Sequence, residues 1–433
     1  VAAGTTNFIA NVLSESNYFN STRLNNGVGD LVKTGGGVLN LGTTAASTNN
    51  LTAGYNMIQG LTDVREGTLR IVSANNYALG SSKSFFDGTI VRSGATLALG
   101  SNSFGYASNY ALQEWLMFEQ GSTFRVEPTT STYQSLSANG VMDFRGDTTV
   151  QIDAGDFFFN SSGAGYIMGS GDIIKDGNSA LSISEYSPDY TGDIIVKDGT
   201  FRLYGIDNTP LPNAGSITIG LNDTTNRNAV VFYSWMTRDG IASKWDVNQN
   251  ITVQGFSDDT RLGVHRYNHN DVVNYNGSID LSNFATNGST LEFRLYVEDE
   301  LSERTIGGAD ESREELYMNL TGDITGGNKR IRTVLGQSYY AGGGYTQTRE
   351  PVPGSQPTNE MNMMVFFTMS GTNTGWTGSL EVGNRAGGGT GSSFDAAGPD
   401  QDKQHFMRFG NNDGAATLAI GASNSVVLRH DAT

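Results

Sequence analysis

The chain has 433 residues, a formal net charge of -17 and a pI near 4.6. That acidity argues against a nucleic-acid partner, which requires a basic surface, and the absence of cysteine excludes disulfides, thiolate metal sites and cysteine nucleophiles. Glycine fills 56 positions and charged residues only 16%, while 37% apolar and 10% aromatic content supply enough burial to offset chain entropy, so the composition predicts an ordered all-β chain rich in tight turns.

The first segment, VAAGTTNFIANVL, is small and apolar and begins without Met, as expected of an exported chain whose signal has been removed or of any other sequence boundary. No apolar run approaches the roughly 18 residues of a membrane-spanning segment. Two phrases follow. Residues 31–41 read LVKTGGGVLNL and residues 60–71 read GLTDVREGTLRI; both return as IIKDGNSALSI at 173–183 and GDIIVKDGTFRL at 192–203. Lys33 aligns with Lys175, Gly35 with Gly177, Gly67 with Gly199 and Thr68 with Thr200. Gly67 and Gly199 are therefore expected at equivalent corners of the fold with positive φ.

Between the copies lie shorter units of Gly followed by alternating apolar residues, GATLAL at Gly94 and GSTFRV at Gly121, with further examples at Gly215, Gly288 and Gly414. Alternation of this kind predicts short strands entered through glycine corners. The stretch NYALQEWLMFEQ at 109–120 is apolar nearly all round and runs directly into GSTFRV, so it is read as strand. A corner and a half-buried strand leave an apolar face and unpaired edges that a stacked copy would cover. The repetition thus predicts one elongated β-solenoid over residues 1–433, at an assumed ~20–30 residues per turn.

The pattern L-x-K-x-G-x-G-x-L-x-L, aromatic-Thr-Gly, then V-x-x-G-T-L-x-L resembles the autotransporter-associated β-strand repeat, also called the passenger-associated transport repeat. It is cleanest over 175–203, good over 31–72 with one insertion, and partial from Trp376. The resemblance implies a right-handed parallel β-helix on a secreted or cell-surface bacterial protein, and implies no activity.

Three segments break the pattern and read as loop insertions, near 298–315, 342–357 and 385–405. In the first, Asp310, Glu311, Glu314 and Glu315 are weak calcium candidates, because the run lacks the alternation of an ordered calcium loop; a solvated charged loop is the plainer reading. His265 and His269 stand four apart, a spacing that shares a metal only on a helix, and the residues around them favour loop or strand. Arg145-Gly146-Asp147 spells an adhesive tripeptide and also reads as an ordinary strand corner. The eight Asn-x-Ser/Thr sequons are what this composition gives by chance, and the four tryptophans are expected to fill or cap the core.

No cofactor is expected. The functional expectation is a non-catalytic, extracellular or cell-surface structural or adhesive protein that assembles end to end with copies of itself. Phe8, Ile9, Val12 and Leu13 near one end and Leu418, Ile420 and Val427 near the other would supply the contacts. Surface polysaccharide or a host cell are further possible partners. The alternative is a polysaccharide-processing enzyme or carbohydrate-binding module on the same scaffold.

Overall fold

The computed structural model describes residues 8–13, 17–19, 30–41, 60–71, 79, 86–100, 111–112, 114–127, 135–138, 140–153, 156–159, 166–184, 186–205, 210–222, 229–235, 244–255, 260–266, 271–284, 293–299, 313–329, 331–337, 362–369, 371, 375–377, 379–382, 404–409 and 425–428. Every regular element among them is a β-strand, and every strand pair runs parallel, so the architecture is a β-solenoid. The described chain sorts into two compact units, 1–203 with 210–217, and 204–209 with 218–433.

In the first unit, successive turns contribute to three sheets. The first sheet runs Phe8–Asn11, Leu31–Thr34, Thr62–Val64, Thr89–Val91, Trp115–Phe118, Val141–Phe144 and Tyr166–Gly169. The second includes Val38–Leu41, Thr68–Ile71, Thr96–Leu99, Thr123–Val126, Thr148–Ile152, Ile173–Asp176 and Ile194–Val196. The third includes Ser135–Ala138, Asp156–Phe159, Ala180–Ile183 and Gly199–Gly205. Pairing is residue for residue, so like side chains stack in columns. Lys33, Val64, Val91, Phe118 and Phe144 form one buried column. Leu39, Leu69, Leu97, Phe124, Val150, Lys175 and Val196 form a second. Phe118 bridges the two: its ring stacks on Phe144 at 5.5 Å and meets Phe124 edge-on at 5.9 Å. Each fully buried Leu, Val or Phe stabilises the stack by about 1.5–3 kcal/mol relative to exposure.

Register gives the length of a turn directly. Along the second sheet the successive partners are Val38, Thr68, Thr96, Thr123, Thr149, Ile174 and Ile195, so a turn shortens from 30 residues to 21. These values fit the assumed turn length.

The second unit has longer strands and longer turns. One of its sheets holds Lys244–Val247, Asp271–Tyr275, Arg313–Leu320, Asn362–Met369 and Gln404–Phe409. Another includes Arg261–Arg266, Phe293–Asp299, Ile331–Gln337, Ser379–Val382 and Ser425–Leu428. Ile251 pairs with Ile279 and Ile279 with Ile324, steps of 28 and 45 residues, and Thr325 pairs with Gly375, a step of 50. The assumed turn length therefore fails here: extra chain lies between strands that keep their pairing. Trp245 and Tyr275 lie fully buried in this unit, and Trp376 is also buried with its indole N–H donating to the Lys329 carbonyl at 2.7 Å.

Candidate functional site

The repeated phrases build a corner clamped by a buried lysine. In the first copy the chain leaves strand Leu31–Thr34, turns at Gly35 with φ 76 and enters Val38–Leu41. The next turn lays Gly67, φ 64, directly on the carbonyls of Gly35 and Gly37, where any side chain would collide with backbone. Lys33 occupies a core column, yet its ammonium is satisfied. Nζ donates to the carbonyls of Thr34 at 3.0 Å, Gly35 at 2.6 Å and Glu66 at 2.8 Å, the last from the turn above. An ammonium has three donors and all are used.

The second copy repeats this atom for atom. Lys175 Nζ donates to Asp176 O at 2.9 Å, Gly177 O at 2.7 Å and Asp198 O at 2.9 Å, while Gly199, φ 70, rests on the carbonyls of Gly177 and Ser179. Burial pushes the Lys175 ammonium down to about 8, opposed by the charges of Asp198, Asp176 and Asp153. Burial likewise lowers Lys33, with Glu66 opposing. Both glycines thus have the expected φ and the expected local surroundings. Their expected equivalence in the fold is corrected: the Gly67 corner joins the first and second sheets, whereas the Gly199 corner joins the second and third. The phrase encodes a corner, and the second copy stands one face further round.

A different corner carries an acid ladder. Gly171 stacks against Gly146, Gly192 against Gly171 and Gly215 against the Asp193 carboxylate, each too close for a side chain. Asp147 Oδ1 accepts from the Asp172 backbone N–H at 3.1 Å, Asp172 Oδ1 from Asp193 N–H at 2.9 Å, and Asp193 Oδ1 from Ser216 N–H at 2.6 Å. The tripeptide Arg145-Gly146-Asp147 falls on this ladder. Asp147 also takes a hydrogen bond from Gln120 Nε2 at 2.8 Å, and Arg145 pairs with Asp143 at 2.8 Å. Burial pushes the Asp172 carboxyl up despite the Asp193 N–H, and the neighbouring charges of Asp147 and Asp193 add to that.

On the outer side of the first sheet, Asp63 joins two turns. Arg65 Nε and Arg92 Nε each donate to it at 2.8 Å, and Arg92 continues to Glu119 at 2.7 Å. Burial alone would raise the Asp63 carboxyl, but the hydrogen bonds and charges of Arg92 and Arg65 outweigh it and hold it below the ordinary range.

In the second unit the ladders are built from amides. Asn274 Nδ2 donates to Asp246 Oδ1 at 2.7 Å and Asn319 Nδ2 to Asn274 Oδ1 at 2.8 Å, while Asn276 Nδ2 reaches Asn248 Oδ1 at 2.9 Å and Asn250 Oδ1 accepts from Ser278 N–H at 3.0 Å. Three sequon asparagines, Asn250, Asn276 and Asn319, therefore serve as ladder rungs.

The first sheet ends on strand Phe8–Asn11, which pairs with Leu31–Thr34 on one side and with no strand on the other among the described residues. Along this rung Ala10 and Val12 are buried, whereas Ile9 is 65% and Leu13 76% exposed. Phe8 lies in the same strand, and Val427 lies in Ser425–Leu428, which ends its own sheet beside Ser379–Val382. Leu418 and Ile420 lie outside the described residues, as do Asp310, Glu311 and His269. Glu314 and Glu315 fall within strand Arg313–Leu320, and Glu298 within Phe293–Asp299, so the segment 298–315 has strand at both ends. His265 lies in strand Arg261–Arg266. Residues 342–357 and 385–403 also lie outside the described residues. Among the described residues no group of three or more His, Asp or Glu could hold a metal ion.

Hydropathy alone gives no reason to bury Lys33 and Lys175; their alignment in both copies is the one sequence signal that they do something specific. The chain matches no known family model, no curated protein and no solved structure. The fold and its corners define the class: a parallel β-solenoid whose charged and amide side chains tie one turn to the next.

Proposed function

We propose that this is a non-catalytic structural protein of the cell exterior that joins copies of itself end to end. The end rung of the first unit carries the reading. Among the described residues strand Phe8–Asn11 has an open backbone edge, and the same rung holds two large apolar side chains, Ile9 and Leu13, that are mostly exposed. An open parallel edge pairs with another strand, and exposed apolar surface beside it adds a driving force for contact. A head-to-tail contact of this kind does not close on itself, so it propagates. The repeat resemblance supports an exported chain, and a chain without cysteine can be exported unfolded with no cross-links. The adhesive and polysaccharide-binding readings rest on surface residues that no described geometry gathers.

The test is the mass in solution as a function of concentration, by light scattering on the full chain. Wild type should grow with concentration, and the double substitution Ile9→Lys with Leu13→Lys should hold it at a single chain. A wild type that stays single at high concentration, or assembly indifferent to both lysines, would overturn the proposal.

A further inference from the structure

Glu114 is buried at the entrance to strand Trp115–Phe118, in the middle of the first sheet. Its Oε1 accepts from Thr89 Oγ1 at 3.4 Å, and its Oε2 is buried with no hydrogen-bond partner among the described residues. Below it in the same stack, Thr89 pairs in register with Thr62, whose hydroxyl is also buried without a partner among the described residues. Above it, Gly140 lies so close on the Glu114 backbone that even a methyl group would collide. A charged carboxylate cannot stay in such a place: it would leave one oxygen bare in a low-dielectric interior.

The charged groups on the packed elements offer no relief. Asp87, just before strand Thr89–Val91, repels a second negative charge. Arg92, at the other end of that strand, is held by Asp63 and Glu119, and Asp143 on the strand above is paired with Arg145. Burial, with Asp87 adding to it against the Thr89 hydrogen bond, pushes the Glu114 carboxyl up to about 9.

We propose that Glu114 is a latch on this corner of the solenoid, closed while its carboxyl carries a proton and opened when it loses it. The direction follows from linkage. The closed corner keeps the proton, whereas an opened corner exposes an ordinary glutamate that releases it above about pH 4.3. Each unit of rising pH therefore favours opening about tenfold. The dependence levels off near pH 9, where the closed form ionises as well. The corner is tightest in mildly acidic surroundings and loosens as they turn alkaline.

Hydrogen–deuterium exchange on the full chain between pH 5.5 and 10, corrected for intrinsic exchange rates, reads the opening of strand Trp115–Phe118. In wild type its protection should fall about tenfold per pH unit, while Glu114→Gln, which mimics the neutral acid, should hold it constant. Asp87→Asn keeps Glu114 intact and removes the repulsion, so the levelling-off should move to lower pH; this arm decides the matter if the glutamine variant does not fold. Wild-type protection that ignores pH, equal slopes in wild type and Glu114→Gln, or a levelling-off unmoved by Asp87→Asn would overturn the latch.

Discussion

The two units solve the same problem, holding one turn of a solenoid on the next, with different chemistry. In the first, turns are short, and seven of its described glycines sit at positive φ, from Gly35 to Gly199. Such tight corners turn several carbonyls towards one point, and a cation is the group that can satisfy three of them together. Lys33 and Lys175 do this, and carboxylates tie the neighbouring corners through backbone N–H groups. In the second, turns reach 50 residues and strands reach eight, as in Arg313–Leu320 and Asn362–Met369. Long strands satisfy their backbones in the ladder itself, and neutral amides, each both donor and acceptor, finish the stacking. Turn length and corner chemistry change together.

The comparison can be broken most forcefully at the stacked glycines. Gly67→Val or Gly199→Val adds a β-branched side chain at positive φ and drives it into backbone carbonyls, so each should destabilise by roughly 3–5 kcal/mol in chemical denaturation. Gly94→Ala is the control: φ is 73 but nothing lies within 4 Å of the added carbon, so only the conformational cost of about 1–2 kcal/mol should appear. Equal losses at Gly94 and Gly199 would show that stacking adds nothing to the corner.

Lys175→Met tests the clamp. It keeps an apolar stem in the core column but leaves three carbonyls without their donor, so a loss on the order of 2–4 kcal/mol is expected, with exchange rising first around Asp176, Gly177 and Asp198. Asn274→Ala makes the corresponding cut in the second unit. It removes two amide hydrogen bonds at the edge of solvent, and about 1–2 kcal/mol should be lost. A larger loss at Asn274 than at Lys175 would reverse the contrast drawn between the units.

Acid should separate the units more gently. Asp63 is held below its ordinary value when folded, so its contribution is present above about pH 3.9 and is lost as pH falls through the lower folded value. Exchange at Thr62–Val64 and Thr89–Val91 should increase in that window, and Asp63→Asn should abolish the increase. The Asn274–Asn319 amide pair has no proton to gain, and its protection should not change there through titration.

Much of this was readable beforehand, and the reason is local. A glycine at positive φ followed by apolar alternation dictates a corner whatever lies around it, so the corners at Gly67, Gly94, Gly121 and Gly199 were legible, whereas Gly215, in the same pattern, is not at positive φ. The segment 109–120 was correctly read as mostly strand, with Ala111–Leu112 and Trp115–Phe118. What could not be read was which face a corner serves, because the corners of a solenoid are alike within a few residues. The phrase at 173–203 therefore looked like a copy in place when it stands one sheet further on. Partners 21 to 57 residues apart, such as Asp172 with Asp193 or Arg70 with Glu127, were hidden for the same reason: register depends on the length of every intervening turn.

We propose that the end rung receives another copy of the chain. Electron microscopy of the purified full chain at high concentration tests it most directly. End-to-end strings of particles should be seen for wild type and lost with Ile9→Lys and Leu13→Lys together. Dispersed single particles without longitudinal contacts, at any concentration reached, would contradict the account.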